Sequence, residues 1–219
     1  MEGHDATGEG DDETRPRSSP RVSRRVGPVE AIGILHAEHR SLAAVMHGML
    51  YLVRDIRLRG AAPRFDVLAA MIDYINAFPE RFHHPKEEAY LFRLLARRWT
   101  DAAPLIDRLQ EEHRLGAAKI RTLEQALERY RRGGAGEFRA FAEAVADYAK
   151  LQWQHMRTEE DELIPLARAY LTASDWKVID EAFSGHTDPL FAVETEHEYE
   201  NLFRRIVNLA PPPLGVGPG

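Results

Sequence analysis

Two stretches decide the fold, His83-His84-Pro85-Lys86-Glu87-Glu88 and His155-Met156-Arg157-Thr158-Glu159-Glu160, because both have the form H-x-x-x-E-E. On an α-helix, residues four apart lie on the same face, one turn from each other. Each stretch therefore places an imidazole beside a carboxylate, first His83 with Glu87 and then His155 with Glu159. Such a pair can bind a metal ion.

A Glu-His pair precedes each stretch at a similar distance, as Glu38-His39 and as Glu112-His113. The chain thus carries the pattern His…H-x-x-x-E twice. Two similar halves, in which every helix contributes an inward-facing ligand, are typical of a two-metal site inside a four-helix bundle. The candidate metal ligands are His39, His83, Glu87, His113, His155 and Glu159.

Composition limits the classes of protein and of metal site. The 219 residues suffice for one sizeable core, and the net charge of −6 argues against a nucleic-acid partner. No apolar run approaches the roughly eighteen residues of a membrane span. The absence of cysteine excludes disulfides, thiolate catalysis and sulfur ligands, so any metal must be held by nitrogen and oxygen. A cytoplasmic location is expected, since the N-terminus also lacks the apolar region of an export signal.

Four segments are expected along the chain. Residues 1–27 are rich in Gly, Ser, Pro and charge and predict a disordered tail, in which a solvated role is favoured over contact with an acidic partner or anionic lipid. Residues 28–172 form the helical bundle, residues 173–210 a C-terminal helical appendage, and residues 211–219 a Pro/Gly tail. The fold class is therefore all-α.

Apolar residues recurring at three and four positions predict the four helices of the bundle. Their expected ranges are 29–59, 64–98, 101–132 and 136–171. Pro79 and Pro85 interrupt the second helix and predict a kink just before its histidine pair. The appendage is expected to contain a short helix after Ala173-Ser174-Asp175 and a longer one over 189–209. These helices either pack outside the bundle or form a homodimer contact.

The remaining histidines and one tyrosine are predicted to stay outside the ligand set. His84 is about 100° round the helix from His83, and neighbouring helical residues face different ways. Packing is favoured over metal contact for Tyr148. Whether Glu160 contributes is left open. The other histidines lie off the apolar stripe, in the tail, or outside an H-x-x-x-E context: His4, His36, His47, His186 and His197.

The donor set of four imidazoles and two carboxylates suits iron, manganese or zinc. If Glu87 and Glu159 each bridge two metals, every metal has two histidines and two carboxylate oxygens, and an oxide or hydroxide between the metals adds a fifth ligand. One position per metal then stays open. A closed structural zinc site would have no such opening, so the pattern favours chemistry with a small diatomic molecule or peroxide.

Over roughly residues 30 to 170, the chain resembles hemerythrin-like proteins of the HHE cation-binding family, of the H-HxxxE-H-HxxxE type. The resemblance implies an antiparallel up-down four-helix bundle. It also implies a non-haem di-iron centre, two iron ions with a bridging oxide or hydroxide, held by the six candidate ligands. The expected partner is a small diatomic ligand or peroxide.

Two departures separate this chain from the oxygen-carrying hemerythrins. The carriers have H-x-x-x-H on the third helix, where this chain has Ala117 one turn after His113. They also have an aspartate five residues after the last histidine, where this chain has Glu160, next to the better-placed Glu159. These differences favour a redox protein that turns over peroxide, nitric oxide or oxygen. The alternatives are a carrier or sensor without turnover, an iron-centre repair protein, and a bundle in which the metal is only structural.

Overall fold

The computed structural model describes residues 30–184 and Ile206, and the long elements in this part of the chain are helices. The first helix runs over Glu30–Arg59. The third follows a short 3-10 turn at Thr100–Ala102 and runs over Ala103–Gly133. Gly60 and Gly134 stand at the C-terminal ends of these two helices with φ of 67° and 68°, a left-handed conformation that glycine adopts without strain.

The second helix is built from five consecutive helical pieces. They are Phe65–Ala77, a π-helical turn at Pro79–His83, an α-helical turn at His84–Lys86, a second π-helical turn at Glu87–Phe92, and Arg93–Arg98. The α-helix is interrupted at Pro79, which has no backbone N–H to donate, so the irregularity expected before the histidine pair is present as a π-helical turn. A bend of the helix axis at this point stays a prediction.

The fourth helix has a matching interruption. After a 3-10 turn at Gly134–Glu137 it runs over Phe138–Thr158, passes through a π-helical turn at Glu159–Leu163, and ends with Ile164–Tyr170. The π-helical turns at Glu87 and Glu159 were not predicted from the sequence. Both begin at the glutamate of H-x-x-x-E, and insertions of this kind are frequent at functional sites.

The bundle is antiparallel, with each helix beside two others. The first and third helices both pack against the second and the fourth. One apolar cluster lies among residues 42–53, 67–78, 120–130 and 141–156, and the other lies at the opposite end among residues 31–35, 91–95, 102–109 and 163–183. Between these clusters, every helix carries the buried polar residues of the predicted site.

A fifth, outer helix covers one end of the bundle. It spans Ala173–Ser184 and buries Trp176, Ile179 and Phe183 against the second apolar cluster. Asp175 at its start accepts two hydrogen bonds from Arg98 at the end of the second helix, at 2.8 and 2.9 Å. The predicted short helix of the appendage therefore packs on the outside of the bundle.

Several expectations fall on parts of the chain outside the described residues. They concern the tails at 1–27 and 211–219, the longer helix at 189–209, and the histidines at positions 4, 186 and 197. Of residues 189–209 the structure describes only Ile206, which is buried in the first apolar cluster. Among the helices that the structure describes, none is long and apolar enough to cross a membrane.

Candidate metal centre

The six predicted ligands converge in the polar layer between the two apolar clusters. All six side chains are buried, and Glu87 and Glu159 have no exposed surface. Three sets of potential ligand atoms form, each with its atoms within 4.8 Å of one another; one of them is His84, His113 and His155, and the other two consist of the six predicted ligands. Of these two ligand sets, one is His39, His83, Glu87 and Glu159, and the other is Glu87, His113, His155 and Glu159. The two glutamates belong to both sets.

The imidazoles face the two shared glutamates with their Nε2 atoms. His83 and His113 each place Nε2 3.5 Å from an oxygen of Glu87, and each uses a different oxygen. Around Glu159 the corresponding distances are 3.1 Å from His39 and 3.3 Å from His155. Each carboxylate oxygen thus has one imidazole nitrogen in front of it, and the two halves of the chain form the same arrangement.

A second ring of four glutamates contacts the Nδ1 atoms on the outer side. The pairs are Glu38 with His83 at 2.6 Å, Glu88 with His113 at 2.7 Å, Glu112 with His155 at 3.1 Å, and Glu160 with His39 at 2.8 Å. An imidazole that donates its Nδ1 hydrogen to a carboxylate keeps its ring orientation and directs the Nε2 lone pair inward. Carboxylate partners of this kind are usual for metal-binding histidines.

Sequence reasoning missed this second ring, although its residues lie next to the predicted ligands. Glu38 and Glu112 each precede a histidine, and Glu88 and Glu160 each follow a shared glutamate. The sequence features that correspond to this ring are therefore the second glutamate of each H-x-x-x-E-E stretch and the glutamate of each Glu-His pair. The pairing of these glutamates with the histidines could not be inferred from the sequence, because each glutamate reaches a histidine on a different helix.

The carboxylates hold protons on the imidazoles in the absence of cations. Burial alone would lower the pKa of His39, but the carboxylates of Glu159 and Glu160, 3.1 and 2.8 Å from its ring nitrogens, outweigh burial and raise the pKa to about 10. Burial also opposes protonation of His113, whose pKa is nevertheless raised to about 9, mainly by Glu87. The pKa of the Glu159 carboxyl is lowered despite its burial, chiefly by the charges of His155 and His39. Positive charge in this layer is strongly favoured.

The inward-facing atoms also have lone pairs that no hydrogen bond occupies and that could bind a cation. Both oxygens of Glu87, both oxygens of Glu159 and Nε2 of His39 have no hydrogen-bond partner within the described part of the chain. Buried polar atoms of this kind cost free energy unless something compensates them. Oxygen and imidazole nitrogen are suitable donors for a transition-metal ion, so the residues present fit a metal site.

Two further histidines and one tyrosine that the sequence analysis considered do not belong to the ligand sets. His36 is half-buried and His47 is exposed, with the His47 ring 5.1 Å from Trp153. Tyr148 is fully buried in the first apolar cluster, where its hydroxyl accepts a hydrogen bond from Gln152 at 3.0 Å. His36 and His47 therefore lie outside both ligand sets, and packing describes Tyr148, as expected.

His84 lies closer to the centre than its position one residue after His83 suggested. Its ring is 4% exposed and stacks on the ring of His113, with the centroids 4.0 Å apart. The π-helical turn at Pro79–His83 contributes to this placement, because a wider turn changes the direction in which the following residues point. Burial, followed by the charge of His113, lowers the pKa of His84 well below its usual value.

Two grooves lead from the surface to opposite sides of the centre. The Ala117 groove, of about 580 Å³, is lined among others by Glu80, His84, His113 and Ala117. The Ala43 groove, of about 310 Å³, is lined among others by His39, Ala43, Trp153 and Met156. Ala43 and Ala117 each lie one turn after the histidine of their groove, so the grooves are equivalent positions in the two halves.

A four-helix bundle whose core holds two histidine pairs sharing two glutamates belongs to the class of metal-binding helical bundles. The family comparison makes the class specific. Residues 30–167 match the family model of the hemerythrin HHE cation-binding domain, and the chain belongs to this family. No curated protein and no solved structure gave a significant match.

Proposed function

We propose that the chain is a non-haem di-iron protein that reacts with a small molecule such as oxygen, peroxide or nitric oxide. The ligands would be His39 and His83 for one iron ion, His113 and His155 for the other, and Glu87 and Glu159 for both. The observation that supports this proposal is the shared position of the two glutamates in both sets of ligand atoms. If only one metal ion were bound, the two histidines of the other set would have no ion to coordinate.

Charge supports two multivalent cations rather than one. The two shared glutamates and the four outer glutamates give the layer six carboxylates. Lys86 donates a hydrogen bond to Glu38 at 3.0 Å and offsets part of this charge. Two divalent or trivalent ions would compensate the remainder. When bound, iron would supply redox chemistry, while the outer glutamates orient the imidazoles and the grooves admit the small molecule.

A sensor without turnover is the second candidate, and one contact favours it. The Lys86 ammonium group that bonds Glu38 also lies 4.7 Å from the ring centre of Phe183 on the outer helix. Glu38 in turn bonds His83. A change of charge at the metal would therefore reach a surface element through three side chains. The dimer contact of the C-terminal helices stays a prediction.

Metal analysis of the full-length chain tests the proposal. Protein loaded with iron in air should contain about two iron ions per chain and absorb in the near ultraviolet and visible. One zinc ion and no colour would contradict both candidate functions.

Histidine variants test the assignment of the ligands. His39→Ala, His83→Ala, His113→Ala and His155→Ala should each lower the iron content. His36→Ala is the matched control and should not lower it. The same outcome is predicted for His84→Ala, although His84 lies beside His113 and His155 in one of the sets of potential ligand atoms. Retention of the full iron content by His113→Ala would contradict the twofold scheme, because the third helix has no other histidine.

A further inference from the structure

The walls of the two grooves differ in the side chain that directly follows the histidine of H-x-x-x-E. In the first half this side chain is His84, which lines the Ala117 groove. In the second half it is Met156, which lines the Ala43 groove. Among the described residues that line the two grooves, Met156 is the only one that carries sulfur. One groove of an otherwise twofold centre therefore has an oxidisable thioether in its wall.

Met156 differs in access from the other methionines of the first apolar cluster. That cluster contains four methionines, Met46, Met49, Met71 and Met156. The first three are at most 2% exposed, whereas Met156 is 7% exposed and lines the Ala43 groove. A small molecule in the groove can therefore reach the side chain of Met156. The other three methionines become accessible only when the bundle opens locally.

We propose that Met156 is a modification site of the chain, at which hydrogen peroxide that enters the Ala43 groove converts the thioether into a sulfoxide. The sulfur attacks one oxygen of the peroxide, so an S–O bond forms and the O–O bond breaks. The sulfur gives up two electrons to the peroxide, and the second oxygen leaves as water with both hydrogen atoms. The reaction needs no metal ion, so it goes beyond the proposed function and does not depend on it.

The modification changes the packing at the boundary between the Ala43 groove and the first apolar cluster. A sulfoxide is polar, whereas the thioether that it replaces packs as an apolar group. Among apolar side chains the new oxygen would lack a hydrogen-bond donor, which costs free energy. On the groove side, Arg40 and Arg157 line the wall and carry guanidinium donors. The oxidised side chain should therefore be drawn out of the cluster toward the groove, which weakens the packing of the fourth helix.

Mass spectrometry of the zinc-loaded full chain, treated with hydrogen peroxide, tests the site. Zinc suits the donor set and has no redox chemistry, so peroxide is the only oxidant. Cleavage after lysine and arginine places Met156 in the peptide 151–157 and the other three methionines in the peptides 41–54 and 65–81. In the folded chain, Met156 should gain oxygen at least about tenfold faster than the other three, since these require local opening. In urea, the rates per methionine should become equal.

Met156→Leu is the matched control, because leucine has a similar volume and no sulfur. Its peptide 151–157 should gain no oxygen under the same treatment. Peroxide should lower the melting temperature of the native chain by a few degrees and leave that of the variant unchanged. Fragmentation of the peptide locates the added oxygen, which is necessary because Trp153 lies in the same peptide.

Two results would overturn the modification site. One is equal oxidation of the four methionines in the folded chain, which would mean that the groove gives Met156 no special access. The other is an added oxygen on Trp153 in place of Met156. A melting temperature that stays unchanged after oxidation of Met156 would contradict the effect on packing. Failure of the chain to bind iron would instead contradict the proposed function, and it would leave the result for Met156 in the zinc-loaded chain as it is.

Discussion

Metal uptake by the metal-free protein should release protons. The pKa of His39 is raised to about 10 and that of His113 to about 9, so both imidazoles are protonated at pH 7. An imidazole must be neutral at the nitrogen that binds a metal. Loading both metal positions at pH 7 should therefore release about two protons per chain from these residues alone.

The sign of the pH dependence follows from the same values. Protons compete with metal most strongly below the raised pKa values, so metal affinity should fall as the pH decreases below about 9. Above about 10 the imidazoles of the metal-free protein are already neutral, and the release from His39 should disappear. Calorimetric titration with ferrous iron, under anaerobic conditions and in buffers of different ionisation enthalpy, gives the number of protons directly.

A substitution in the second ring of glutamates tests whether the released proton comes from His39. The side chain of Glu160 is 43% exposed and bonds His39 at 2.8 Å. Replacing it with glutamine removes one of the charges that raise the pKa of His39 and should reduce the proton release at a pH near 9. Asp161→Asn, in the same exposed turn, is the matched control and should leave the release unchanged. Metal binding at pH 7 without proton release would refute the reasoning, because the imidazoles would then be neutral before the metal arrives.

Three further perturbations should change stability or reactivity. Burial raises the pKa of the Glu80 carboxyl from 4.5 to about 7, so ionising this group destabilises the folded chain increasingly as the pH rises through this range. In urea denaturation of the metal-free protein, Glu80→Gln should therefore raise the free energy of unfolding by up to about 3 kcal/mol at pH 8 and leave it unchanged near pH 4. The pKa of Asp175 is lowered to about 2 despite its burial, chiefly by hydrogen bonds from Arg98 and Thr172. Asp175→Asn should therefore lower the free energy of unfolding by about 2 kcal/mol at pH 7, and the difference from the native protein should shrink as the pH falls from about 4 through 2. Ala117→His should slow turnover of peroxide or nitric oxide and prolong the oxygenated absorption spectrum, whereas unchanged rates and spectra would mean that position 117 does not face the metals.

The residues that converge in the centre could be predicted because two local rules suffice for them. The i, i+4 spacing fixes which side chains share a helix face, and the repeat of the pattern indicates that four such faces meet. The four bundle helices and the interruption of the second helix at Pro79 could be predicted for the same reason. Each depends on periodicity, proline chemistry or capping within a few residues.

The second ring of glutamates could not be predicted in this way, because it depends on contacts between helices. Glu160 reaches His39 across the interface of the fourth and first helices, and Glu88 reaches His113 across that of the second and third. The π-helical turns add to the difficulty. At Glu87 and Glu159 the helical repeat is wider than 3.6 residues, so a periodic count no longer gives the direction of the next side chain.

The repeat also suggested two equivalent metal positions, and the structure gives a physical reason to distinguish them. The position of His39 and His83 is linked to Lys86 through buried Glu38, where the ammonium group withdraws negative charge from the carboxylate that bonds His83. The equivalent of Lys86 in the second half is Thr158, which carries no charge. Among the described residues, Glu112, the outer carboxylate of His155, has no ammonium partner like the one that Lys86 gives Glu38, and an imidazole whose carboxylate partner is not offset in this way is the stronger donor to a metal ion of high charge. In a pair of ions that share Glu87 and Glu159, the ion at His113 and His155 should consequently be the more easily oxidised, and it is the one that adjoins the open, polar Ala117 groove.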